Sequence, residues 1–379
     1  MRKHYNIPVF ITHSGCRNDC VFCNQKIITG QSESSGEKEI RETIEKFIDI
    51  IYKNIDRIDD NYNNSVGTEI AFFGGSFTGL EKSQMIKFLE IANEYIEKHK
   101  IINGIRISTR PDYISREITD ILLKYNVKSI ELGIQSMFDE VLNACKRGCT
   151  VENTKKACEI IKSSGINLTG QMMLGLPGSN RERDIKTAEE LVNLGIDSSR
   201  IYPTVILRDT QLYNMYKSNK YEPLSLDEAI FRAKKIKNIF DFNKIEILRM
   251  GLCSSDINNS DIIAGAYHPA FGELVESEII YDKIVDEISG YNPRLCGATP
   301  FSRGQKKEAY NPSPLLRRGC RPQTAGVAII IRANKKNMSK VMGHKKKNIS
   351  KLKEKFNFKN IKIIEDNNIN LYKIEITEN

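Results

Sequence analysis

The sequence has no apolar run that approaches the roughly 20 residues a membrane-spanning helix requires. Its opening, MRKHYNIPVFITHSG, is basic, but the apolar stretch within it covers only residues 8–11. That is too short for a secretory leader and reads better as a first strand. The nine cysteines are odd in number and irregularly spaced, which excludes a disulfide framework. No long internal repeat is visible. These absences place the chain, as an expectation, in a reducing cytoplasm. At 379 residues it is long enough for a sizeable core and for two domains.

Charge is present but uneven. From residue 300 onward there are 19 Lys/Arg against 6 Asp/Glu, whereas the whole chain carries a net +9. The first 299 residues are therefore net acidic. A lysine-rich composition would raise lysine throughout, so a surplus at one end suggests a module that meets a polyanion.

Short apolar runs alternate with longer stretches of helical period. Strands are expected at 8–12, 69–73, 104–108, 129–134, 166–174, 200–206 and 244–249. Helices are expected at 38–53, 81–98, 115–125, 137–145, 151–163, 180–194 and 225–240. Six or seven strands, each followed by a helix, imply a parallel sheet with right-handed crossovers. Runs such as IAFF and MMLGL read as apolar on both faces, as buried parallel strands do. An open doubly wound sheet and a closed or partial barrel fit equally well. In either, ligands gather at the carboxyl ends of the strands. GCRNDC, GGSF, TRPD, QSM and GLPG follow successive strands at that end. Residues 56–66 read as a polar surface loop and 292–324 as an irregular basic connector. The expected division is 1–290 for the large α/β domain, 291–325 for the connector and 326–379 for a small αβ module.

Cys16, Cys20 and Cys23 form C-x3-C-x2-C. Structural zinc takes four protein ligands, and no paired C-x2-C follows to complete such a set. Any of Cys145, Cys149, Cys158, Cys253, Cys296 and Cys320 could act as a fourth ligand, but none has hairpin-like spacing. An iron–sulfur cluster is held by thiolates. Three of them leave one iron with an open position for a small molecule, and the cluster is favoured over zinc on that ground.

With Phe22 before the third cysteine, the motif resembles the radical S-adenosylmethionine (SAM) signature. The resemblance implies a partial (β/α)6, TIM-like barrel and a 4Fe–4S cluster on Cys16, Cys20 and Cys23. It also implies SAM chelated to the fourth iron, reductive cleavage of SAM to a 5′-deoxyadenosyl radical, and an electron donor such as ferredoxin or flavodoxin. Gly74, Gly75 and Ser76 fall where the family contacts the SAM amino group; Ser76 stands where many members have Glu. A closer likeness is to the catalytic subunit of Elongator and its short bacterial relatives. It runs in order through HSGCRNDCVFCNQ, FFGGSFTGL, STRPDYI, ELGIQSM, KRGCT, MMLGLPG, RIYPTVIL and YHPAFGELVES. It implies modification of a tRNA wobble uridine. About 100 residues follow residue 280, without a Gly-rich acyl-CoA loop, so no acetyltransferase domain is expected.

Residues 341–364, VMGHKKKNISKLKEKFNFKNIKII, resemble the core of a KH domain, in which a GXXG loop clamps nucleic-acid backbone. Here the loop reads Gly343, His344, Lys345, Lys346, with lysine in place of the second glycine. Lys345, Lys346 and Lys347 are candidates for RNA phosphates, or form a solvated face. Gln135 could bond SAM or cap a strand. Lys146 and Arg147 could face a SAM carboxylate or solvent. Arg110 and Asp112 read as a structural ion pair. Met172 and Met173 read as core, with Met172 the candidate for the adenine pocket. His268, in YHP, reads as structural, with a proton role open. Cys145, Cys149 and Cys158 read as buried thiols.

Overall fold

The computed structural model describes residues 3–11, 15–16, 20–24, 36–55, 66–252, 259–289, 328–370 and 373–378. The loop expected at 56–66, except its last residue, and the connector 292–324 lie outside the described residues, as do Cys253, Cys296 and Cys320. The chain forms two compact units, Met1–Pro269 and Ala270–Asn379.

The first unit is built on seven strands: β1 (Lys3–Phe10), β2 (Val66–Phe73), β3 (Ile102–Thr109), β4 (Val127–Gln135), β5 (Asn167–Leu174), β6 (Ser198–Pro203) and β8 (Glu246–Met250). They lie side by side in sequence order, and every pair is parallel. Helices make the crossovers: α1 (Glu37–Ile55), α2 (Lys82–Lys98), α3 (Arg116–Lys124), α4 (Asp139–Ala144), α5 (Val151–Ser163), α6 (Arg181–Asn193), α7 (Gln211–Lys217) and α8 (Leu226–Phe242). A short antiparallel pair, β7 (Val205–Leu207) with β9 (Ile262–Gly265), adjoins the sheet in sequence. The sheet curls into a partial barrel, one of the two arrangements that the strand–helix alternation allows.

The two faces of the strands differ. Ile7, Ile70, Phe72, Ile105, Ile107, Ile130, Leu132, Leu168 and Ile201 alternate along the strands and are almost wholly buried. The residues between them are buried too, but many are polar: Glu69, Arg106, Ser129, Glu131 and Thr169. The expectation of two apolar faces is therefore corrected. The inner face closes by pairing its charges. Arg106 Nε donates to Glu69 at 2.8 Å, Ser129 donates to Glu69 at 2.7 Å, and Arg106 Nη1 reaches Thr169 at 3.2 Å. Arg200 pairs with Glu131 at 2.7 Å. Buried charges persist only when matched in this way.

Helix starts follow from the sequence. Ser115, Thr150, Asn180, Thr210 and Ser225 each accept a bond from the backbone N–H three residues on. Each thereby satisfies a donor the first turn leaves open.

The second unit holds α9 (Phe271–Ser289), β10 (Ala328–Ala333), α10 (Met338–Met342), α11 (Lys347–Phe356), β11 (Asn360–Glu365) and β12 (Ile374–Glu378). Its sheet is mixed, in the order β11-β10-β12: β10 runs parallel to β11 and antiparallel to β12. Ile280, Ile284 and Ile288 of α9 share a core with Ile329, Ile331, Val341, Leu352 and Phe358. The division consequently falls at Pro269 and Ala270 rather than at residue 290, because the apolar stripe of α9 is buried within this unit. The loop expected at 343–346 separates α10 from α11, with positive φ at Gly343 (73°), Lys345 (51°) and Lys346 (63°).

Candidate functional site

The loops after β1 and β2 touch backbone to backbone. A Cβ on Gly15 would meet the Ser76 carbonyl oxygen at 2.1 Å, and one on Gly79 would meet the Gly15 carbonyl oxygen at 2.2 Å. Gly15 also has φ +75°, so only glycine meets both demands without strain. This contact sets Cys16 beside the second loop, where its Sγ lies 3.5 Å from the Ser76 hydroxyl. Ser76 is itself buried, while Gly74 (φ 90°) and Gly75 are partly exposed at the strand end.

Residues 20–24 form a strap across the mouth of the sheet. The Val21 N–H donates to the Cys145 carbonyl at 3.1 Å, and the Leu212 N–H donates to the Val21 carbonyl at 2.7 Å. Val21 packs with Val141, Cys145, Leu176 and Leu212, and Phe22, Phe138 and Met173 pack around them. The Cys23 N–H donates to the Cys20 carbonyl at 3.0 Å, which closes the turn between the last two cysteines. Cys20 is buried, whereas Cys16 and Cys23 are partly exposed.

Two guanidinium groups approach Cys20. Arg147 Nη1 lies 3.4 Å from Cys20 Sγ, and Arg147 Nη2 donates to the Gly133 carbonyl at 2.7 Å. Arg110 Nη1 lies 4.0 Å from the same sulfur. Arg110 grips Asp112 with two bonds of 2.9 and 3.0 Å and donates to the Arg147 carbonyl at 2.6 Å. Burial opposes the Arg110 charge, but Asp112 outweighs it and the pKa ends above its ordinary value. The structural pair expected of Arg110 and Asp112 is thus present, with a second task that sequence reading missed. The link to Cys20 spans 90 residues for Arg110 and 127 for Arg147, beyond the reach of any local pattern. One signal was available: a Cβ on Gly133 would meet Arg147 Nη2 at 3.0 Å, which explains a glycine inside β4.

The other singled-out residues separate by strand alternation. Gln135 ends β4 with φ 71°, a conformation non-glycine residues rarely hold. Its Oε1 accepts from Gln171 Nε2 at 3.5 Å. Met172 is fully buried, while Met173, on the opposite face, packs around the strap that holds the cysteines. Lys146, at φ 52°, is exposed and donates to Gln211 at 2.7 Å. The GLPG turn is braced by the Tyr221 hydroxyl donating to the Gly175 carbonyl at 2.6 Å and by Asp184 accepting from the Gly175 N–H at 3.0 Å.

The remaining described thiols are of another kind. Burial pushes Cys145 and Cys158 up to about 12, and it raises Cys149 as well. Among the described residues no three His, Cys, Asp or Glu side chains form a group that could hold a single metal ion. Three thiols in one loop, one of them flanked by two cations, suit a cluster better. There each thiolate binds a different iron. The donor set therefore fits a 4Fe–4S cluster.

Comparison with known families matches residues 10–191 to the Radical SAM superfamily and residues 196–281 to the Radical_SAM C-terminal domain. The chain is 34% identical over 208 residues to a tRNA uridine(34) acetyltransferase of Methanocaldococcus jannaschii, a match covering 54% of this chain and 36% of that protein. It is 34% identical over 136 residues to Elongator complex protein 3 of Saccharomyces cerevisiae, covering 35% and 24%. Among solved structures it resembles Elp3 of Methanocaldococcus infernus with an N-terminal deletion, with a TM-score of 0.58, 27% identity, and coverage of 75% of this chain and 64% of that one. The matched segment spans about a third or less of the length of these sequence relatives. Members of the superfamily use a 4Fe–4S cluster and SAM. Two successive domain matches, seven parallel strands in order and the cysteine loop at their carboxyl ends lead to one conclusion: the chain belongs to the radical SAM superfamily of enzymes and is a relative of the Elongator catalytic subunit.

Proposed function

We propose that Cys16, Cys20 and Cys23 hold a 4Fe–4S cluster, that SAM occupies its open iron, and that the reaction modifies an RNA, with a tRNA wobble uridine as the first choice. The observation that carries this is the cysteine strap, pinned by Cys145, Leu212 and Arg147 at the end of the sheet where ligands bind. When bound, such a cluster supplies the single electron that splits SAM into methionine and a 5′-deoxyadenosyl radical, with ferredoxin or flavodoxin as the class of donor. The chain's own residues bind and orient. Gly74, Gly75 and Ser76 offer backbone and hydroxyl groups to the SAM amino end. The strained Gln135, its amide held by Gln171, offers polar contacts from β4. Phe22 and Met173 supply apolar surface, and Met173 packs around the strap; Met172, the residue expected at the adenine pocket, is fully buried on the opposite face and does not reach it. Lys146 stands at the rim.

The RNA reading rests on the relatives, which by name act on tRNA uridine(34), and on the basic second unit. Lys345, Lys346 and Lys347 are exposed together at the junction of α10 and α11. That position, between two helices that follow one strand and precede a parallel neighbour, suits a backbone-clamping loop. Lys346 keeps at φ 63° the left-handed backbone a glycine would adopt. Among the described residues no helix is long and apolar enough to cross a membrane, and a reducing cytoplasm is the proposed setting.

The test is anaerobic: reconstitution with iron and sulfide, reduction with dithionite, and quantification of 5′-deoxyadenosine from SAM with and without bulk tRNA. Nucleoside formation stimulated by tRNA is expected. Formation indifferent to tRNA would remove the RNA substrate, and no formation by a fully loaded protein would remove the radical chemistry.

A further inference from the structure

We propose that Arg147 is a positioning residue for the cysteine loop: it compensates the charge of the Cys20 thiolate and thereby holds the cluster at a less negative potential than the three cysteines alone would give. This rests on the ligand assignment above.

The argument begins with charge. Arg147 is 7% exposed and Arg110 2% exposed. Asp112 engages Arg110 through both carboxylate oxygens. Two buried guanidinium groups lie close to one sulfur here, and a buried charge is stable beside groups that compensate it. The sulfur that both guanidinium groups approach is Cys20, at 3.4 and 4.0 Å. Geometry then singles out Arg147. One arm of its fork is fixed on the Gly133 carbonyl of β4, and its own carbonyl is fixed by Arg110 at 2.6 Å. The other arm is thereby aimed at Cys20 rather than free to swing toward solvent. The three cysteines are consequently unequal: Cys16 faces a neutral hydroxyl and Cys20 a cation. Hydrogen bonds to a ligating sulfur and a nearby positive charge both stabilise the more reduced, more negative state of a cluster.

The experiment reconstitutes wild type, Arg147→Gln, Arg147→Ala and Arg147→Lys under anaerobic conditions, counts iron and sulfide, and titrates the potential by the electron paramagnetic resonance signal of the reduced form. SAM is omitted, so a contact between Arg147 and a SAM carboxylate cannot move the reading. Arg147→Gln and Arg147→Ala are expected to shift the midpoint to more negative potential, and Arg147→Lys to stay nearer wild type. Cluster loss from Arg147→Gln, with Arg147→Lys loaded and circular dichroism unchanged, also supports charge compensation. If Arg147→Ala fails to fold, the neutral Arg147→Gln, of similar reach, carries the test. Full clusters at the wild-type potential in the neutral variants overturn the inference alone. A wild-type chain that takes up no cluster overturns the ligand assignment with it.

Discussion

Cys149 and Cys158 lie nine residues apart, and burial raises both thiols: it acts alone on Cys158, while at Cys149 it works against the nearby charges of Arg147 and Arg110. Cys145 and Cys158, at about 12 against an ordinary 9.0, should stay unmodified when the metal-free protein is briefly treated with iodoacetamide at pH 8, while the partly exposed Cys16 and Cys23 react. Rapid labelling of Cys158 would contradict this. The same shift sets a stability window. A thiol whose folded pKa is raised favours the folded state fully below pH 9 and loses that contribution as pH climbs from 9 to 12, by about 1.4 kcal/mol per unit. Cys158→Ala should therefore flatten the fall in urea midpoint across that window. The difference between the two kinds of cysteine was half legible in the sequence. C-x3-C-x2-C announced itself by spacing. The arginines that serve Cys20 did not, because their partner is remote along the chain. Met172 and Met173 show the same limit: strand alternation says they face opposite ways but not which of them faces the cysteines.

At the scale of elements, the strand–helix alternation was readable because apolar period and capping residues agree, as at Ser115, Thr150 and Asn180. The inner sheet face was not. Runs such as TEIAFF hide one charged residue among apolar ones, and only the neighbouring strands show that Glu69 meets Arg106 and Ser129. Replacing Arg106 by Leu leaves Glu69 buried without its cation and should cost about 3 to 5 kcal/mol, measurable by urea denaturation. A loss under 1 kcal/mol would deny the pair its place in the interior. In the second unit, Gly343 was readable as a break and Lys346 was not readable as strained. Lys346→Gly should relieve a left-handed lysine and stabilise by up to about 1 kcal/mol. Converting Lys345, Lys346 and Lys347 to Glu should weaken tRNA binding and reduce the slope of log affinity against log salt by about 2 to 3. Unchanged affinity would make this loop a bystander.

For the whole molecule, the order of seven parallel strands follows from local rules: each crossover helix returns the chain beside the strand it left. The boundary between units does not, since α9 is apolar enough to belong to either and only packing decides. The chemistry also belongs to this scale, because the cysteine loop after the first strand is met by residues that follow the second, third and fourth: Ser76, Arg110 and Arg147. Its most direct test is iron and acid-labile sulfide per chain after anaerobic reconstitution, in wild type, in Cys16→Ala, Cys20→Ala and Cys23→Ala, and in Cys158→Ala as the buried-thiol control. The account predicts a loaded wild type and control, with each of the three loop variants losing most of its iron and its broad visible absorption. Iron retained in full by Cys20→Ala, or lost equally from Cys158→Ala, would contradict it.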